Sequence, residues 1–165
     1  MIPVRLCKLA LIAAAALFFT LVAFGNITDY DSNWQFVQHV LSMDTTFPNS
    51  AIHWRAVTSP TLQHAGYVAI IAWEVVVSLL LWVGAALLLA RIAAPDFDGA
   101  KPVAIAGLTL GLLLYAVGFV AIGGEWFAMW QSQIWNGQQK AFDFIGMLGV
   151  ILLVALLPDS RSKSG

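Results

Sequence analysis

Glu74 is the residue whose position most needs a chemical reason. It stands inside an apolar run from about Gly66 to Ala90, about 12 Å along a helix from the start of that run. An ionisable group at such a depth costs ~2.5–3.5 kcal/mol to insert, so it must face other helices or a wet cavity. Tyr67, Glu74, Ser78 and Ala85 fall within about 60° of one another on a helical wheel, a stripe of polar or small residues. The stripe suits a ligand-binding or proton-handling carboxyl. The competing reading is a structural acid hydrogen-bonded to a neighbouring helix.

Glu125 and Asp143 bracket a second polar segment and could join Glu74 in a carboxyl cluster, or serve as ordinary helix-end acids. The three histidines, His39, His53 and His64, lie outside or at the edge of the apolar runs. No His-x-x-x-His or Glu-x-x-His spacing points to a metal, so His64 and His39 are weak metal or haem candidates. The single cysteine, Cys7, excludes an internal disulfide and a CxxC redox pair. The sequence names no cofactor.

Seven tryptophans are the compositional signal. Trp34, Trp54, Trp126, Trp130 and Trp135 lie outside the apolar runs, and Trp73 and Trp82 inside the second. They read as an interfacial aromatic belt. With Glu125 and Gln131 nearby, they also read as a surface for an amphipathic ligand or a partner.

The elements that carry these residues follow from composition. Of 165 residues 60% are hydrophobic and 10% charged, with a mean hydropathy of +0.82. An ordinary soluble domain is roughly a quarter charged, so the chain reads as a polytopic membrane protein. A net charge of −1 gives no electrostatic case for nucleic acid. Four apolar runs are expected to cross the bilayer as one domain over 1–165, at about 9–25, 66–90, 102–123 and 141–157. The fold class is an all-α four-transmembrane-helix bundle. Lys and Arg set its orientation. Arg5, Lys8, Arg91, Lys101, Arg161 and Lys163 fall on one side, and Arg55 and Lys140 on the other. That bias puts both termini in the cytoplasm.

Two segments, 26–65 and 124–140, are then outside. Trp34, Val37, Val40 and Leu41 have the spacing of a short surface helix over Asn33–Met43, with Asp31, Ser32 and Asn33 as candidate caps. Trp126, Trp130 and Ile134 at i, i+4, i+8 predict another. The stretches 21–26 and 119–124 resemble each other weakly and suggest a duplicated hairpin. Gly107-x-x-x-Gly111, with Gly118, is a close-packing stripe, within the chain or in a homodimer. The inner turn 91–101 and the tail from Pro158 carry no expected structure, the tail being frayed.

The segments NWQFVQHVLSMD (Asn33–Asp44) and GGEWFAMWQSQIWNGQ (Gly123–Gln138) resemble a bacterial family of predicted small integral membrane proteins, a domain of unknown function. The resemblance covers essentially the whole chain. It implies a four-span inner-membrane protein and brings no activity. The residues themselves lead to a non-enzymatic module that binds an amphipathic small molecule or a membrane partner at its outer face. The alternative is a small redox or proton-coupled transport component that binds quinone, haem or metal.

Overall fold

The computed structural model describes residues 2–159; Arg161 and Lys163, counted for orientation, lie outside the described residues. Those residues are mostly helical, with no strand among them. Helix α1 spans Ile2–Thr28, α2 Tyr30–Ser42, α3 Pro60–Ala90, α4 Pro102–Leu113 and α5 Gln138–Leu156. Helix α4 runs on without a break as a π-helix, Leu114–Trp126. Among the described residues four stretches are long and apolar enough to cross a bilayer: Ile2–Thr28, Pro60–Ala90, Pro102–Trp126 and Gln138–Leu156. Only a closed helical hydrogen-bond ladder lets such a segment leave water. The chain is an all-α membrane bundle.

The helix starts follow local rules. Pro60 and Pro102 each open a helix, where the missing N–H costs nothing. The start of α2 differs from expectation. It begins at Tyr30 with Asp29 as its N-cap residue, and no side chain caps it. Asp31 therefore sits in its first turn, where its charge favours the helix dipole. Met43 ends α2 in the left-handed region at φ 54°, its N–H bonded to the Val40 carbonyl.

The helix expected through Trp126, Trp130 and Ile134 does not form. The π-helix stops when the Phe127 N–H bonds the Ile122 carbonyl at 3.0 Å, five residues back. Ala128 then takes φ 51°, and only a 3-10 turn, Met129–Gln131, follows. The duplicated-hairpin reading loses its support here. Residues 21–26 lie in an α-helix that leads into a 13-residue helix, whereas 119–124 lie in π geometry that leads into a single turn.

The chain forms two compact units. Unit 1 holds the described residues up to Val22, Glu74–Leu112, and those from Gly146 on; unit 2 holds Ala23–Trp73 and Leu113–Ile145. Unit 1 is closely packed through small residues. A Cβ built on Gly84 would lie 2.7 Å from the Ala104 backbone, one on Gly107 3.0 Å from Leu81, and one on Gly111 2.8 Å from the Phe19 ring. Gly107 and Gly111 thus serve packing within the chain, where the Leu81 side chain and the Phe19 ring occupy the space a Cβ would take. Unit 2 is held by aromatic side chains around two apolar clusters, one at Val40, Met43, Phe127 and Met129, the other at Val37, Tyr67 and Ile71.

Candidate functional site

Unit 2 contains a cavity of about 300 Å³ with an almost wholly apolar lining. Helix α2 contributes Phe36, Val37, Val40 and Leu41, because residues at i, i+1, i+4 and i+5 share one face of a helix. Helix α3 contributes Gly66 and Ile70, and the π-helix Leu114, Gly118, Phe119 and Ile122; Met129 completes the wall. Glycine keeps the space open. A Cβ on Gly66 would meet Leu41 at 3.6 Å and one on Gly118 would meet Leu114 at 3.8 Å, both ordinary contacts. A second cleft of about 290 Å³ lies between Trp73, Leu113 and Val117 and shares Leu114, Gly118 and Ile122 with the first. π geometry is rare and frequent at functional sites, and this 13-residue π-helix forms a wall of both spaces.

Aromatic rings stack around the cavity-forming elements. His64 lies flat on Trp34, centroids 3.6 Å apart at 7°. The Tyr30 hydroxyl is 2.9 Å from His64 Nδ1, and the Tyr30 ring meets Tyr67 at 4.6 Å. Tyr67 is buried and donates to the Asn26 side-chain oxygen at 3.3 Å. His39 stacks on Trp135 at 4.8 Å and 11°, its Nδ1 2.7 and 3.0 Å from the two Asp44 oxygens. His53 Nε2 pairs with Thr46. Each histidine therefore has its own setting, and no group of three or more metal-ligating side chains gathers among the described residues.

Of the expected site residues, Trp126 and Trp130 are both exposed. The Arg55 guanidinium lies 4.6 Å over Trp126 and 5.4 Å over Trp54, a pair of cation–π contacts to two rings set edge-on to each other that only the folded loops reveal. Trp130 meets Phe47 edge-on at 5.8 Å. Asp143 is exposed and engaged on its own helix by Lys140 at 3.7 Å and Gln139 at 3.4 Å. Glu125 is exposed.

Glu74 and Ser78 belong to unit 1. Glu74 is buried, 3% exposed. The Thr20 hydroxyl donates to the Ala16 carbonyl at 2.8 Å and so accepts from Ser78, 2.8 Å away, and from Trp82 Nε1 at 3.0 Å. A hydroxyl has one donor and two acceptor positions, so this trio is complete. It binds α1 to α3 in the manner of membrane helices.

Unit 1 also holds a buried charge cluster that the sequence reading missed. Arg5, Lys8 and Lys101 are 2%, 4% and 5% exposed. Arg5 donates through Nη2 and Nε to the Asp159 carboxylate, and through Nη1 to the Ile92 and Ala94 carbonyls at 2.8 and 2.7 Å. Lys8 and Lys101 both donate to the Leu157 carbonyl. Lys101 pairs with Asp98 at 2.8 Å, and the Asp159 N–H donates to the other Asp98 oxygen at 2.9 Å. These cations satisfy carbonyls just past the ends of α3 and α5, where the helix dipole is negative.

The hydrogen bonds from Arg5 hold the Asp159 carboxyl below the usual range. Burial pushes the Asp98 carboxyl up, but the Lys101 hydrogen bond and the Asp159 N–H outweigh it, so the net direction is down. At Pro158–Asp159 the expected frayed tail is anchored; the rest of it, 160–165, lies outside the described residues. The available signal was the placement of opposite charges at the ends of three spans, which the orientation count absorbed.

A family model described as a predicted small integral membrane protein (DUF2165) matches residues 4–158. No curated protein and no solved structure gives a match.

Proposed function

The chain belongs to this family of predicted small integral membrane proteins, and from that premise we propose that it binds the hydrocarbon chain of an amphiphile in the unit 2 cavity. The observation that carries this reading is the cavity itself: about 300 Å³, glycine-lined and almost without polar surface. A void of this size lies in the range of small-molecule sites. Its lining matches a methylene chain, and the surrounding bilayer supplies such chains. On this reading the protein is a non-enzymatic binding module or accessory subunit of a bacterial inner membrane. Trp54, Trp126 and Trp130 serve as interfacial anchors.

Native mass spectrometry of protein extracted in mild detergent tests it. The wild type retains a chain-bearing adduct, and Gly118→Leu, which fills the cavity, loses it. Retention of the same adduct by Gly118→Leu at wild-type stability rejects the reading. Glu74 is assigned to a separate role in unit 1, as a buried acid that sets coupling to protons or to a partner. Unchanged expression, thermal stability and phenotype in Glu74→Gln would remove that role.

The redox alternative draws on the Tyr30–His64–Trp34 stack, which could face a quinone or haem. A Soret band in the absorbance spectrum of purified protein would favour it. The Lys and Arg bias supports cytoplasmic termini. In a Cys7→Ser background, a cysteine replacing Ser50 should react from outside intact cells and one replacing Ala93 should not. The reverse pattern inverts the topology.

A further inference from the structure

The cavity explains where a chain would lie but not what holds the head of the molecule. His39 is flanked along α2 by two cavity-wall residues, Phe36 and Val40. Its ring stacks on Trp135. Trp135 in turn packs edge-on against Phe36 at 6.4 Å and against the cluster that contains Val40, Phe127 and Met129. His39 and Asp44 keep side-chain exposures of 31% and 47%, so the pair is reachable beside the apolar space.

The Asp44 carboxylate accepts hydrogen bonds and cannot donate them, so the His39 Nδ1 carries the proton that Asp44 binds. In the neutral ring Nε2 is then left with its lone pair, as an acceptor whose direction is fixed by Trp135 and Asp44. A nearby carboxylate disfavours an anionic head. A fixed imidazole acceptor favours a hydroxyl donor.

We propose that the His39–Asp44 pair, beside the chain cavity of unit 2, receives the hydroxyl group of a neutral amphiphile. The inference rests on the chain-binding reading and adds the class of head group. Two sources share this chemistry: a hydroquinone ring on an apolar tail, and a glycerol or simple alcohol head on an acyl chain. The aromatic surroundings suit the first, and the direct comparison below separates them.

The test uses full-length protein in detergent micelles under argon. Binding of decyl hydroquinone, its dimethyl ether and a monoacylglycerol of the same chain length is measured by tryptophan fluorescence. The wild type is expected to bind decyl hydroquinone about tenfold more tightly than the ether, which has no hydroxyl to donate, since one hydrogen bond to a partly exposed group is worth roughly that factor. His39→Ala should erase the difference while leaving ether binding unchanged. Asp44→Asn, which no longer dictates the tautomer, should reduce it several-fold.

Tighter binding of the hydroquinone than of the monoacylglycerol assigns the aromatic source, and the reverse order assigns the glycerol source. Either order supports the hydroxyl contact when His39→Ala removes the preference over the ether. Equal binding of hydroquinone and ether in the wild type, with both lost in Gly118→Leu, overturns the head contact and leaves the chain site standing. Binding of both that survives Gly118→Leu rejects the chain site as well. If His39→Ala fails to fold, Asp44→Asn carries the test, and an undiminished hydroquinone preference in it overturns the proposal.

Discussion

The two units use polar groups in opposite ways. In unit 1 the buried cations Arg5, Lys8 and Lys101 are all taken up by carbonyls and by Asp98 and Asp159. Glycines there leave room for close approach, to the Ala104 backbone at Gly84 and to the Leu81 and Phe19 side chains at Gly107 and Gly111. In unit 2, His39 and His64 are each held by one hydrogen-bonding side chain and a flat ring, and glycines at Gly66 and Gly118 border the cavity. At these positions the same residue type closes a contact in unit 1 and borders a space in unit 2. A glycine packs helices when facing atoms crowd its missing Cβ, as Ala104 does at Gly84 and Phe19 at Gly111, and borders a cavity when the facing side chains stand off, as at Gly66 and Gly118.

Substitutions can break this contrast. Arg5→Leu should have the largest effect. It strands the Asp159 carboxylate in a buried setting and leaves the Ile92 and Ala94 carbonyls uncapped. Removing one partner of a buried pair is among the most damaging single changes, and the thermal midpoint is expected to fall by more than about 10 °C. A fall of only a degree or two would mean that the cluster contributes little.

Acid should act on the same unit. Asp98 and Asp159 are both held below their ordinary values, so their stabilising effect is complete above the unfolded carboxyl pKa of about 4 and is lost as pH falls through the lower folded values. The thermal midpoint should drop between pH 5 and pH 3, and Asp159→Asn should flatten that dependence. An unaltered slope in the variant would assign the acid sensitivity elsewhere.

The glycines give the smaller pair of effects, with opposite signs. Gly84→Ala forces a methyl against the Ala104 backbone at 2.7 Å and should cost about 1–3 kcal/mol of stability. Gly66→Ala meets only ordinary contacts and should gain about 0.5–1 kcal/mol from helix propensity. Both are read from reversible unfolding in mixed micelles. Equal signs at the two sites would erase the distinction between a packing glycine and a cavity glycine.

The four spans were legible in the sequence because leaving water requires a long apolar run and a backbone that satisfies itself, and both are local properties. The burial of Glu74 was legible for the same reason, since an acid in such a run has nowhere else to go. Helix α2 was legible from the 3.6-residue spacing of Trp34, Val37 and Val40, though its start was misplaced at the cap residues. The second segment misled for a related reason. Trp126, Trp130 and Ile134 have helical spacing, but Ala128 at φ 51° interrupts them, and alanine gives no sign in a sequence of adopting that conformation.

Amino-acid order alone determined what must avoid water and what must be helical. Tertiary structure decided which partner each polar group found. Arg5 meets Asp159 across 154 residues of chain, and His64 meets Trp34 from another helix; no spacing rule encodes either. The cavity was decided in the same way, because a void belongs to no residue. It exists where side chains from α2, α3 and the π-helix approach one another and fail to fill the space that Gly66 and Gly118 leave.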